Sequence, residues 1–177
     1  MNSGTKVKIL FDESIGDKIF AEGKGNLEMS INPVGDFDMF GQFEVEEGDY
    51  TLTFKNLVNK KLEIVPGSKM MWDGDPYQAR MDIEAIYNLR ASPYALMPED
   101  SSGRYKRRVP VELELELGGF LLTPDIDFEI RMPTSDEFVK ERLRSILYVN
   151  QSTVNEQELN QQVFGLLVLN RFMPPTT

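Results

Sequence analysis

The 177-residue chain contains no cysteine and no histidine. Without cysteine it can form no disulfides, thiolate zinc sites or thiol nucleophiles, and without histidine it lacks the commonest catalytic base and metal ligand. The sequence also contains no Gly-x-Ser-x-Gly, P-loop or zinc-binding signature. We therefore predict that the chain is not an enzyme and that it binds no cofactor and no metal.

Basic residues are scarce, with 19 Lys and Arg against 29 Asp and Glu and a formal net charge of −10. Binding to nucleic acid requires a dense basic surface, so nucleic acid is excluded as a partner. The one basic cluster consists of Arg104, Lys106, Arg107 and Arg108. We interpret it as a solvated charge cluster at the start of a strand, and contact with a lipid headgroup or an acidic partner is the alternative.

Long hydrophobic runs are missing as well. The most apolar stretch, Val163–Met173, contains Asn170 and Arg171 and is shorter than the about 20 residues that a membrane-spanning helix requires. The amino-terminal residues contain no apolar signal core.

Apolar and polar residues alternate with a period of two from Lys6 to Arg131, which predicts amphipathic strands. The clearest is Val109–Leu117, in which five aliphatic side chains point to one face. The side chains on its other face are Pro110, Glu112, Glu114 and Glu116. The alternation favours antiparallel pairing with one solvated face, because strands of a parallel sheet covered on both faces are apolar throughout. Turns are predicted at Asn32–Gly35, Glu46–Gly48, Val65–Gly67 and Asp73–Pro76.

Two arrangements can accommodate the apolar strand face. In a closed sandwich, two sheets pack against each other, as in a small carrier or a partner-binding module. In a sheet folded like a taco, the apolar face lines an open groove. The residue pattern on its own favours the sandwich and does not exclude the groove.

The last part of the chain has helical periodicity. Thr134 and Glu137 have the spacing of a capping box, which predicts a helix, and Asn155-x-x-Glu158 predicts a second one. The second helix is apolar on nearly all sides towards its end, so it must be buried against its own sheet or against a partner. Leu166, Leu167, Leu169 and Phe172 are the predicted partner contacts, because they cannot all lie on one helical side.

Four motifs carry a family resemblance: Gly48-x-Tyr50, Gly67-Ser68, Trp72-x-Gly-Asp-Pro76 and Leu159-Asn-Gln-Gln-Val-Phe164. With them, the sequence from about Asp17 to Pro175 resembles the C-terminal domain of the translocation and assembly module protein TamB, in the form found in Bacteroidota. One departure is Leu62, where we expect the family to carry Phe. That exchange replaces one apolar residue by another.

The resemblance implies a mainly β fold: an antiparallel amphipathic sheet folded into a taco-like open groove, with a C-terminal helical segment. Residues 1–132 would form the β-groove region and residues 133–177 the helical tail of a single domain. That domain would be a fragment of a longer protein whose membrane anchor lies upstream of this sequence. The implied groove lining consists of Leu27, Met29, Phe37, Met39, Phe43, Leu52, Phe54, Trp72, Met81, Ile83, Leu113, Leu115 and Phe128.

The resemblance also implies a function. The chain would be the C-terminal domain of an inner-membrane-anchored protein that spans the periplasm and reaches the outer membrane. There it would transport phospholipid, assist protein assembly, or both. The implied partners are phospholipid acyl chains and an outer-membrane barrel assembly protein of the TamA or BamA type, and the isolated fragment could form a homo-oligomer. The alternative is a closed β-sandwich carrier or partner-binding module.

Two carboxylate pairs, Asp73 with Asp75 and Asp125 with Asp127, have the proximity of a glycosidase pair. However, they fall at turns or on the polar face, and close pairs arise by chance among 29 acidic residues. We interpret all four as turn or surface residues.

Overall fold

The computed structural model describes residues 5–10, 17–54, 58–150 and 152–176. Within these residues the chain forms ten strands, two α-helices and three short 3₁₀ turns. The strands are β1 (Thr5–Leu10), β2 (Lys18–Ile31), β3 (Phe37–Phe54), β4 (Val58–Ile64), β5 (Lys69–Gly74), β6 (Arg80–Ala91), β7 (Val109–Phe120), β8 (Thr123–Arg131), β9 (Tyr148–Val149) and β10 (Thr153–Val154). The helices are α1 (Glu137–Leu147) and α2 (Glu156–Leu169), and the 3₁₀ turns are Pro76–Gln78, Pro93–Leu96 and Arg104–Lys106.

The first eight strands form one sheet in the order β1-β2-β3-β4-β6-β7-β8, with β5 paired to β3 and to β6. The pairs β1–β2, β2–β3, β3–β4, β3–β5, β4–β6 and β5–β6 are all antiparallel. This strand path has two ends, so the described sheet is open. The prediction of a mainly β, antiparallel, amphipathic and open sheet with a C-terminal helical segment is confirmed.

The chain divides into two compact units. The first contains the described residues of 1–87 and 115–127, and the second those of 88–114 and 128–177. The core of the first unit includes Ile19, Phe43, Tyr50, Leu62, Ile64, Met70 and Ile83. The core of the second includes Leu96, Val111, Leu113, Val139, Leu143, Val163, Leu166 and Leu167.

The predicted turn at Glu46–Gly48 is wrong, because β3 continues through it as one strand of 18 residues. The pairing with β2 jumps here from Glu22↔Glu47 to Gly23↔Val45, which leaves Glu46 as an extra, bulged residue. The bulge changes the phase of the alternation: Phe43 and Val45 are buried before it, and Gly48, Tyr50 and Leu52 are buried after it. Because it absorbs the extra residue, the apolar side chains stay on one face.

The Gly48-x-Tyr50 motif follows this bulge. Tyr50 is buried, and its hydroxyl donates a hydrogen bond of 2.7 Å to Asp17 Oδ2. The backbone N–H of Thr53 donates to the other oxygen of Asp17 at 2.5 Å. The Asp17 carboxylate therefore ties the start of β2 to the second half of β3.

The other β motifs also hold backbone in place. Ser68 is buried, donates through Oγ to the Val65 carbonyl at 2.7 Å and accepts from the Glu84 N–H at 3.1 Å, so it joins the β4–β5 corner to β6. The turn predicted after Trp72 is confirmed between β5 and β6. Trp72 Nε1 donates to the Pro76 carbonyl at 3.2 Å, which closes that turn.

The helix starts agree with the sequence in one case. Asn155 caps α2 as predicted, since its side chain accepts from the Glu158 N–H. The predicted cap of α1 is wrong: the cap is Asp136, which accepts from the Val139 N–H, so the helix begins two residues later than Thr134 would place it. A carboxylate at this position also interacts favourably with the positive end of the helix dipole.

The polar face of β7 is not uniformly solvated. Glu116 is exposed as predicted, but Glu114 is buried, with only 3% of its surface exposed. Its carboxylate pairs with the Arg131 guanidinium at 2.5 Å, which compensates for the loss of hydration. The expectation of a wet face is therefore wrong at this position.

We expect Tyr50→Phe to lower the free energy of unfolding by about 1–2 kcal/mol at pH 7, because a buried carboxylate oxygen loses this donor. Burial and then Asp17 raise the pKa of Tyr50 far above its usual value. The unfolded chain ionises this phenol near pH 10, so the wild type loses the stabilisation that comes from Tyr50 as the pH rises above about 10, and the Phe variant has no such contribution to lose. Urea unfolding should therefore show a smaller difference in the free energy of unfolding between the wild type and Tyr50→Phe at alkaline pH than at pH 7.

The control is Tyr77→Phe, because Tyr77 is 68% exposed. Its free energy of unfolding should stay within about 0.5 kcal/mol of the wild type. Equal stability of the wild type and Tyr50→Phe at pH 7 would contradict a structural role for the Asp17 contact.

Candidate functional site

The apolar face of β2 and β3 begins as sealed core. Ile19 and Phe43 have no exposed surface, and Val45 and Tyr50 are each 1% exposed. Phe43 lies opposite Met70 of β5 in the strand register, and Met70 is likewise buried. This half of the face is an ordinary packed interior.

The same face continues beyond Phe43 as an open surface. Directly opposed residues of an antiparallel pair lie on one face, and the pairs here are Leu27↔Gly41, Met29↔Met39 and Ile31↔Phe37. We call Leu27, Met29, Ile31, Phe37 and Met39 the distal apolar face. Met29 is 62% exposed, Ile31 72% and Phe37 43%.

Gly41 lies in the middle of this surface. Its φ of +120° is one that L side chains rarely adopt, and an added Cβ would lie 1.9 Å from the Asn26 carbonyl oxygen. Gly41 is opposed by Leu27 on one side and by Trp72 on the other. The sheet therefore has no side chain at the position between Leu27 of β2 and Trp72 of β5. A surface depression of about 400 Å³ beside Gly41 is lined by residues of both strand faces, namely Gly25, Asn26, Leu27, Glu28, Phe40 and Gly41.

The predicted groove lining divides into three groups. Buried members are Phe43, Leu52, Trp72, Met81, Ile83, Leu113 and Leu115. Half-buried members are Leu27, Met39, Phe54 and Phe128. Exposed members are Met29 and Phe37. Access from solvent is thus concentrated at the distal apolar face. Ile31 was missing from the predicted lining, although its alternation with Met29 places it on the same face.

The predicted partner contacts on α2 and just after it are mostly internal. Leu166 and Leu167 have no exposed surface and Phe172 is 1% exposed, whereas Leu169 is 42% exposed. Three of these residues pack inside the second unit, and Leu169 alone of the four presents a large accessible surface.

The second unit contains a pocket that the sequence did not indicate. Its volume is about 410 Å³, and its apolar lining is Phe128, Ile130, Met132, Pro133, Leu143, Leu147, Tyr148, Val154 and Leu159. Its charged lining is Glu112, Glu129, Arg131, Lys140 and Arg144. Lys140 and Arg144 also pair with Glu137 and Glu141, one helical turn earlier on α1. The pocket depends on contacts between β8, α1 and the β9–β10 hairpin, which residue spacing does not reveal.

The basic cluster has structural partners. Arg104 pairs at 3.2 Å with Asp136, the cap of α1. Arg108 donates to the Asn170 carbonyl at 3.2 Å and to the Arg90 carbonyl at 3.0 Å. Lys106 lies over the ring of Tyr94, 5.1 Å from its centre. The cluster therefore ties the start of α1 and the end of α2 to the segment that precedes β7.

The polar face of the first unit carries ion pairs. Lys6 pairs with Glu22 at 2.6 Å and Lys61 with Asp49 at 2.8 Å. A hydrogen bond from Lys24 to Glu46, followed by the attraction of their charges, raises the pKa of Lys24. These pairs are exposed, so each contributes little to stability.

The four carboxylates considered for catalysis are all exposed. Asp75 accepts a hydrogen bond from the Tyr77 N–H at 2.9 Å, which is a turn contact. Among the described residues, no helix is long and apolar enough to cross a membrane.

Comparison with known proteins gives one match. The family model of the TamB C-terminal domain matches residues 2–176. No curated protein and no solved structure matches the chain significantly.

Truncation to Ala should distinguish the sealed from the open part of the apolar surface. We expect Leu115→Ala to lower the free energy of unfolding by about 2–5 kcal/mol, because Leu115 is fully buried and its loss leaves a cavity. Met29→Ala should change it by less than about 0.5 kcal/mol. Urea unfolding measures the free energy of unfolding of both variants. Equal losses would contradict the division of the apolar surface into a sealed and an open part.

Proposed function

Since the chain belongs to the TamB C-terminal domain family, we propose that it acts in the periplasm as the end of an inner-membrane-anchored protein that reaches the outer membrane. It passes phospholipid acyl chains to that membrane and supports protein assembly there. The family as a whole is a non-enzymatic transport and assembly module, and a role in outer-membrane assembly follows from membership.

The distal apolar face is the observation that supports lipid handling. It joins the buried Phe43 along one strand face, yet Met29, Ile31 and Phe37 expose large apolar side chains to water. Covering apolar surface contributes about 25 cal/mol per Å². An acyl chain lying along the face would be stabilised by this effect without any covalent step. Methionine side chains are flexible, which suits a lining that accepts chains of variable shape.

The proposed path is shorter than the full predicted lining. Because Leu113 and Leu115 are sealed, we place acyl chains only against the distal apolar face. The sealed residues then serve as core. Their burial agrees with the alternative sandwich interpretation for this part of the apolar face.

The proposed protein partner is an outer-membrane barrel assembly protein of the TamA or BamA type. Leu169 is the predicted contact that is accessible on the described surface of α2. We therefore propose this end of α2 as part of the contact, and Leu166 and Leu167 as residues that support it from the core.

Lipid capture can be tested with two adjacent substitutions on opposite strand faces. Met29→Arg places a charge on the distal apolar face, where desolvation by acyl chains is costly, and Ser30→Arg places the same charge on the other face. We expect Met29→Arg to reduce photocrosslinking of a phospholipid with a diazirine acyl chain by at least about tenfold, whereas Ser30→Arg retains it.

Both residues are exposed, so both variants should keep the wild-type circular dichroism and unfolding free energy. Equal crosslinking of the two folded variants would rule out the distal apolar face as the lipid site.

A further inference from the structure

The chain turns back after α2 and runs along the helix. Asn170 ends the helix with a φ of +51°, and the Arg171 N–H donates to the Gly165 carbonyl at 3.1 Å. We call residues 171–176 the return segment. It belongs to no described helix or strand.

Side chains of α2 bind the backbone of the return segment. Gln162 makes two bonds to Met173, donating to its carbonyl at 2.9 Å and accepting from its N–H at 2.9 Å. Gln161 donates to the Pro174 carbonyl at 2.7 Å, and Glu158 accepts from the Thr176 N–H at 2.7 Å. These three residues lie on neighbouring turns of the helix, where side chains share a surface.

The sequence of the return segment fits this surface. Pro174 and Pro175 have no N–H, so the helix needs to supply no acceptor for them. Phe172 is buried with 1% exposure and anchors the segment. Gly165 allows its close approach, because an added Cβ would lie 2.6 Å from Met173 Cγ and 2.7 Å from the Arg171 carbonyl oxygen.

These contacts have the character of peptide recognition. A side-chain amide that pairs with both backbone groups of one residue performs the role of a neighbouring strand, and a buried aromatic side chain supplies a specific anchor. Glu158 Oε2 is buried and accepts no hydrogen bond from the part of the chain that the structure describes. The site therefore has one more acceptor than the return segment uses.

We propose that the face of α2 formed by Glu158, Gln161, Gln162 and Gly165 is a receptor site for an extended Phe-x-Pro-Pro segment. The return segment fills this site within its own chain. When that segment is displaced, the same segment of a second copy binds in its place. This interaction is independent of the proposed lipid site, which lies in the first unit.

Two complementary variants of the full chain test the proposal. The double variant Gln161→Ala and Gln162→Ala has a defective receptor and an intact return segment. Phe172→Asp has a defective segment and an intact receptor. We expect each to sediment as a monomer alone and the equimolar mixture to form a 1:1 heterodimer, because only the mixture combines a displaced intact segment with a vacant receptor.

The matched control replaces the receptor variant by Gln157→Ala. Gln157 is an exposed glutamine on the same helix and, among the described residues, makes no hydrogen bond to the return segment. Its own return segment stays bound, so mixing it with Phe172→Asp should give no heterodimer. Monomers in the first mixture, with both variants folded by circular dichroism, would overturn the proposal.

A second segment variant keeps the test decisive if Phe172→Asp does not fold. Met173→Pro keeps Phe172 and removes the N–H from which Gln162 accepts a hydrogen bond. It should also form a heterodimer with the receptor variant. If both segment variants unfold, the return segment is an obligatory part of the core and the proposal is wrong.

A fluorescent peptide of residues 170–177 provides a direct measurement. It should bind the folded segment variant, and adding Gln162→Ala should weaken binding at least about tenfold, because both hydrogen bonds to Met173 are lost. Equal affinity with and without Gln162 would show that the helix does not recognise the segment in this way.

Discussion

The bulge at Glu46 is the constraint on which the apolar face of the first unit depends. Strand side chains alternate strictly, so one extra residue would move every later apolar side chain of β3 to the solvent face. Pairing with β2 skips Glu46, and Val45 and Tyr50 are buried on the same side although their numbers differ in parity. The face that runs from Leu52 to Phe37 is continuous because Glu46 has no partner in the strand register with β2.

The continuity of that face links stability to the proposed function. Its inner part is closed and contributes core packing, whereas its distal part exposes Met29, Ile31 and Phe37. Packing and acyl-chain binding use the same non-directional hydrophobic effect, so one strand pattern serves both. Gly41 marks the region where the packed rows change into the open surface, since Leu27 and Trp72 flank a position without a side chain.

The motifs that carry the family resemblance make hydrogen bonds that hold separate segments of the chain together. Tyr50 binds Asp17, Ser68 joins a strand corner to β6, and Gln162 holds Met173. Each satisfies polar groups that are buried or partly buried, and each would be costly to leave unpaired. The distal apolar face needs only apolar residues of suitable size, so the motifs position that surface without forming it.

Residue patterns predict the strand class, the turn after Trp72 and the Asn155 cap, because each depends on residues close together in the chain. The open antiparallel sheet was instead an expectation from the family resemblance. The interpretation of Glu46–Gly48 as a turn was wrong because a bulge and a turn have similar polar residue patterns. Thr134 was predicted as the cap of α1 because Thr134 and Glu137 have the spacing of a capping box, but Asp136 is the residue that accepts from the Val139 N–H.

Which apolar residues are sealed and which are open depends on packing between segments that are distant in the chain. Leu115 and Met29 both lie in alternating strands, yet one has no exposed surface and the other is 62% exposed. The buried Glu114 is compensated by Arg131, and Gln162 binds Met173 because the chain returns along α2. Periodicity specifies the face on which a side chain lies. What covers that face depends on residues distant in sequence, and the hydrophobic effect does not encode their identity.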